Sequence, residues 1–187
     1  MGLPEDAVLL TIDVQRGFDD AKWGRRNNPD LERNVAALHA AWRAAERPLI
    51  HIRHASTKPG SPLSVGDPGH AFKPEAEPQP GEMAITKSVH SAFIGTGLEE
   101  LLRAAGARHL VLCGIQTNYC VATTARMAAN LGFDPTVVSD ACATFDQKGR
   151  DGRLWKAEEL HEVALMELEG EFAAVASTSG LLRAVGP

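Results

Sequence analysis

Three residues with the chemistry of acyl transfer stand at the ends of short apolar runs. Asp13 closes AVLLTIDV at Ala7 to Val14, Lys87 closes MAITK, and Cys120 follows the LVL run at Leu110 to Leu112 across a turn. A thiol needs a base to activate it, the base needs ordering, and the developing anion needs a cation nearby. Around the cysteine, Gly114 breaks the apolar run, and Val121, Ala125, Ala128 and Leu131 then follow at helical spacing. This spacing predicts a strand, a tight turn and a helix, with Thr117 as N-cap and Cys120 in the first turn. Free N–H groups and the dipole favour a thiolate there. Each residue also has a plainer reading: a packed thiol for Cys120, a strand-end carboxylate taking backbone hydrogen bonds for Asp13, and a solvated charge for Lys87.

The elements that must position them alternate between strand and helix. AVLLTIDV reads as a central parallel strand covered on both faces. After Pro29 and Asp30, the residues Leu31, Val35, Leu38 and Trp42 form the apolar stripe of an amphipathic helix. PLIHIR at Pro48 to Arg53 is a second strand. The proline- and glycine-studded segment from Ala55 to Gly81 is a long irregular cover. MAITK is the third strand, and a helix runs from Leu98 to Ala105. DPTVVS at Asp134 to Ser139 is a further strand, the 151–169 stretch carries a helix, and Phe172 to Ala176 is a last strand. Such alternation predicts a parallel sheet with helices on both faces and right-handed crossovers, its ligands bound beyond the carboxyl ends of the strands.

At 187 residues the chain fits one domain. Nineteen basic against 24 acidic residues give a formal net charge of −5, dispersed along the chain, which argues against a nucleic-acid partner and for a small-molecule one. No basic leader with an apolar run and no membrane-length segment is present, so a cytoplasmic protein with no membrane partner is expected. Cys113, Cys120 and Cys142 are an odd number with no C-x-x-C spacing, which predicts reduced thiols.

IDVQRGF at Ile12 to Phe18, ITKSVHSAF at Ile85 to Phe93 and GIQTNYCV at Gly114 to Val121, in this order, resemble the isochorismatase-like cysteine hydrolases. The resemblance extends through VVSDACATF at Val137 to Phe145 and so covers nearly the whole chain. It implies one domain over residues 1–187, an α/β fold of three α/β/α layers around a six-stranded parallel sheet, Rossmann-like in character. It also implies an Asp13, Lys87 and Cys120 triad, a cis peptide between Ile115 and Gln116, and an oxyanion hole formed by the backbone N–H groups of Gln116 and Cys120. Gln15, Phe18 and Phe93 match positions that line the pocket in relatives, and homo-oligomers, dimers or tetramers, are expected. The family includes nicotinamidases, N-carbamoylsarcosine and ureidoacrylate amidohydrolases, streptothricin hydrolase and isochorismatase. Its nicotinamidase-like members carry an Asp-Trp-His metal motif after the second strand, where this chain has His54, Ala55 and Ser56. No metal and no other cofactor is therefore expected.

The remaining candidates have two readings each. His54 lines the pocket or is an exposed loop histidine. His51 and His54, three apart on a strand, point to opposite faces and do not chelate together. His70 and His90 lie in or near the cover and could face a substrate, with orientations the sequence leaves open. Phe18 and Phe93 equally suit the core, Trp23 and Trp42 read as packing, and Asp140 as a turn-ordering carboxylate. The C-terminal SGLLRAVGP is either an intersubunit contact or a helix docked on the domain. The expected function is hydrolysis of a non-peptide C–N bond in a small amide, ureido compound or lactam through a thioester. The alternatives are vinyl-ether hydrolysis of the isochorismatase type, which needs no thiol, and a thiol-sensing or binding protein without turnover.

Overall fold

The five residues of β1 (Val8–Ile12) are all buried, as a nearly continuous apolar run must be at the middle of a parallel sheet. The computed structural model describes residues 3–185. Its main strands are β1, β2 (Leu49–His54), β3 (Met83–Lys87), β4 (His109–Ile115), β5 (Asp134–Ala143) and, after the two-residue hairpin arms β6 (Gln147–Lys148) and β7 (Leu154–Trp155), β8 (Ala174–Ala176). These six form one sheet in the order β3-β2-β1-β4-β5-β8, with every pairing parallel. The helices are α1 (Leu31–Ala44), α2 (Leu98–Ala104), α3 (Ala122–Asn130), α4 (Ala157–Leu168) and α5 (Thr178–Val185). α1 packs against α5 and α3 against α4. Right-handed crossovers put these two pairs on opposite faces. Among the described residues no helix is long and apolar enough to cross a membrane.

Because the chain winds outward from β1 through β2 to β3 and then restarts at β4 on the other side of β1, the strand order reverses between β1 and β4. A crevice opens at the carboxyl ends of strands around such a reversal. Asp13 follows β1, and the Cys120 turn follows β4, so both flank it.

The C-terminal helix docks on the domain: Leu181 and Val185 are buried and α5 lies on α1. Gly186 and Pro187, the end of the SGLLRAVGP segment, lie outside the described residues, as do Met1 and Gly2. Asp140 does accept a backbone bond, but from α5: its Oδ1 takes the N–H of Thr178 at 2.7 Å and the Thr178 hydroxyl at 2.8 Å.

The cover from Ala55 to Gly81 forms no strand, yet it is fastened to the stretch after β1 by main chain and side chain alike. Arg16 N–H donates to Ala71 O at 3.0 Å and Lys73 N–H to Val14 O at 3.0 Å. The buried Lys73 ammonium pairs with Asp19 and, at 2.8 Å, with Glu32 of α1. Gly17 and Gly69 meet back to back, so close that a Cβ on Gly69 would lie 2.7 Å from the Gly17 Cα. Only glycine permits that approach.

Candidate active site

Asp13 leaves β1 with a φ of +55°, a left-handed conformation that aspartate tolerates better than most residues and that turns the chain sharply at the strand end. Its Oδ2 accepts a 2.7 Å bond from Lys87 Nζ, and both side chains are wholly buried. Its Oδ1 has no hydrogen-bond partner among the described residues. A buried, unpartnered carboxylate oxygen is costly, and one that faces a thiol is poised to accept a proton. The Asp13 carboxylate, His54 and Cys120 Sγ place one atom each within 4.8 Å of one another.

Lys87, the last residue of β3, gathers the site around its ammonium. Nζ lies 2.7 Å from Asp13 Oδ2, 3.2 Å from Val89 O, 3.3 Å from His54 Nδ1 and 3.3 Å from Cys120 Sγ. Three protons therefore face four acceptors, and the charge is compensated by one carboxylate. The Asp13, His54 and Cys120 grouping has the donor types of a cation site, but this ammonium occupies its middle. A divalent ion would have to displace it, so these residues do not fit a resident metal.

The Ile115–Gln116 peptide at the end of β4 is cis. The turn that follows, Thr117–Val121, is a single π-type turn leading into α3. Thr117 does not cap it, contrary to the sequence expectation: its hydroxyl lies 2.8 Å from His161 Nδ1 of α4 and so fastens the turn to the neighbouring helix. Cys120 is 7% exposed. Burial, followed by the Asp13 charge, pushes its thiol well above the usual range, against the pull of Lys87. The resting sulfur is thus a thiol, where helix-terminus reasoning alone predicts a thiolate.

The cavity over this cluster has a volume of about 540 Å³, and Asp13, Gln116 and Cys120 form part of its floor. Phe18, Trp23 and Leu63 supply an apolar side, with Phe18 and Trp23 in contact at 5.1 Å between ring centroids. His54, His90 and Tyr119 form a second aromatic side, His54 and His90 stacked at 6.3 Å and 18°.

Of the residues expected to line the pocket, Phe18 and His54 do so and two do not. Phe93 is a core residue stacked on Phe133 at 5.8 Å and does not line the cavity; the preceding Ala92 N–H donates to the Thr124 hydroxyl of α3 at 3.1 Å, which ties this turn to the helix. Gln15 is fully buried beneath the cover. Its amide takes the backbone N–H of His54 at 2.8 Å and donates to His54 O at 3.1 Å and His70 O at 2.9 Å. It splices the ends of β1 and β2 and touches no ligand space. His51 points away from His54, into the other face, where it bonds Ala76 O at 2.9 Å and Glu82 at 2.8 Å. Trp23, read as packing, also lines the cavity, and so does His90, a candidate of open orientation, whose Nδ1 stands 3.4 Å from Cys120 Sγ. Trp23 has a sequence signal, an aromatic five residues beyond Phe18 on the same loop.

A family model of the isochorismatase domain matches residues 7–179, a span that includes every member of this cluster. The chain belongs to the isochorismatase family. Among isochorismatase-family relatives, it is 39% identical to YrdC of Bacillus subtilis over 180 residues, 96% of each chain. A solved structure of a family member from Chromobacterium violaceum superposes with a TM-score of 0.95 at 49% identity, covering all of this chain and 97% of that one. The ureidoacrylate amidohydrolase RutB of Enterobacter sp. is 30% identical over 183 residues, 97% of this chain and 70% of that protein. The six-stranded parallel sheet between helical layers is that of this family.

Proposed function

We propose that this isochorismatase-family hydrolase cleaves a non-peptide C–N bond of a small amide, ureido compound or lactam through a thioester on Cys120. One observation carries the reading: Lys87 Nζ bridges Asp13 Oδ2 and Cys120 Sγ, 2.7 and 3.3 Å away, beneath a cavity of substrate size. The named activity of the RutB relative, an amidohydrolase, supports the same bond class.

Because burial keeps Cys120 protonated, the reaction begins when a substrate carbonyl arrives over the sulfur. The free Asp13 Oδ1 takes the thiol proton while Lys87 stabilises the nascent thiolate and holds the other carboxylate oxygen. Sulfur adds to the carbonyl carbon. The oxyanion is received by the backbone N–H groups of Gln116 and Cys120, each such donor contributing about 3 kcal/mol. Protonated Asp13 then returns its proton to the leaving nitrogen, the C–N bond breaks, and an amine or ammonia departs from a thioester that water hydrolyses. Vinyl-ether hydrolysis leaves the Cys120 thiol without a task, and a thiol sensor has no need of the buried Asp13 and Lys87.

Ammonia or amine release from a panel of small amides tests the reading, with Cys120→Ala as the control. Release that disappears in the variant, and a mass adduct on the wild type that the variant lacks, is the expected result. A variant with full turnover overturns it.

A further inference from the structure

We propose that His90 is the general base of the second half-reaction, the one that takes the proton from the water that hydrolyses the thioester. The inference rests on the thioester reading above. His90 Nδ1 stands 3.4 Å from Cys120 Sγ, nearly as close as Lys87 Nζ at 3.3 Å. The two approach from different sides. Lys87 and Asp13 are sealed beneath the sulfur with no exposed side-chain surface, whereas His90 is an exposed residue on the solvent side of the same atom.

The placement of His90 is built. Lys87 Nζ donates to Val89 O at 3.2 Å, which folds the segment after β3 back over its own lysine and brings His90, three residues on, to the sulfur. The ring is held between His54, at 6.3 Å, and Tyr119, at 5.7 Å between centroids. His54 Nδ1 faces the Lys87 ammonium, and burial next to that charge pushes His54 down, so it remains a neutral wall for the His90 ring.

Once an acyl group is on Cys120, its carbonyl carbon lies one bond from Sγ, and an attacking water must come from the open side. A nitrogen at 3.4 Å from the sulfur is within hydrogen-bond reach of a water in that position. The water oxygen bonds to the acyl carbon as its proton passes to Nδ1. The tetrahedral adduct collapses, the C–S bond breaks, the sulfur leaves with its electron pair and regains a proton from His90, and the carboxylic acid departs. Water and thioester give acid and thiol, with no other reactant.

Acetylation by para-nitrophenyl acetate tests this without the natural substrate, because nitrophenolate release reports sulfur acylation and its steady rate reports deacylation. In His90→Asn and His90→Ala, the first equivalent of nitrophenolate should appear within about threefold of the wild-type rate. Steady turnover should fall about a hundredfold. The acetyl-enzyme should accumulate in the intact mass, and imidazole should restore turnover to the alanine variant. Equal loss of both phases, unchanged turnover, or failure of imidazole rescue would overturn the assignment. If instead Cys120→Ala still becomes acetylated, or wild-type Cys120 does not, the thioester reading itself fails, whatever the His90 variants do.

Discussion

Lys87 Nζ and Asp13 Oδ2 form a 2.7 Å ion pair with neither side chain exposed, joining the ends of β3 and β1, the two strands that flank β2. The pair fixes the edge strand β3 to the crevice and at the same time supplies the charge the sulfur needs.

Removing one partner leaves an uncompensated buried charge, which costs about 3 to 5 kcal/mol. Lys87→Ala should therefore lower the melting temperature sharply as well as abolish turnover. The double variant Asp13→Asn with Lys87→Met should recover most of the lost stability and none of the activity. Thermal melts and the amide assay on the same preparations separate the two effects; a Lys87→Ala protein as stable as the wild type contradicts them.

The raised Cys120 thiol predicts sluggish alkylation in the resting protein. Its rate with iodoacetamide near pH 7 should lie below that of a free cysteine and keep climbing above about pH 10, where a free thiol, half ionised at about 8.5, has levelled off. A plateau at or below neutral pH would mean a preformed thiolate.

Three buried histidines should make the protein acid-sensitive. His39, bound to the Thr11 hydroxyl through Nε2 at 2.7 Å, has its Nδ1 buried without a partner among the described residues, and burial pushes it down to about 3; burial also lowers His51 and His161. With folded values below the ordinary 6.5, the unfolded chain binds more protons as the pH falls, so stability is complete above about 6.5 and declines below it. Each histidine contributes a slope of up to about 1.4 kcal/mol per pH unit. Urea denaturation at pH 7, 6 and 5 should show the decline, and His39→Gln should flatten it; identical slopes in the two proteins would dismiss the role of His39.

A methyl group on Gly17 would lie 2.6 Å from Pro62 O and 2.8 Å from a Leu63 methyl, and Leu63 lines the cavity. Gly17→Ala should push the cover outward and reduce kcat/KM on a good amide by one to two orders of magnitude. Acetylation by para-nitrophenyl acetate, a probe that needs little of the cavity, should change far less. Equal losses on both reagents would show that the methyl disturbs the catalytic cluster itself.

The strand ends were legible because an unbroken apolar run terminated by Asp13, Lys87 or a glycine-broken turn has few places to go in an alternating α/β chain. Their mutual contact needed the sheet order, which sets β3 and β4 on opposite sides of β1. Thr117 and Gln15 differ from expectation, and Phe93 takes the core one of its two readings, for one reason: spacing along the chain gives an element but not which neighbour takes the side chain. Thr117 goes to His161, Gln15 to the ends of β2 and the cover, and Phe93 to Phe133. The orientation of His90 stayed open because its approach to Cys120 depends on the fold-back from Lys87 to Val89 O, a loop geometry that no periodicity encodes.

The cover, fastened to the β1 loop and α1 by Lys73 and by the glycine contact, lends the cavity Ser56, Thr57, Lys58, Ser61 and Leu63, while Asp13, Lys87 and Cys120 all come from sheet ends. Selectivity and reactivity therefore sit on separate pieces of chain. Transplanting residues 55–81 from a relative, with Gly69 and Lys73 kept, would exchange the molecule that is accepted and leave the reacting atoms where they are.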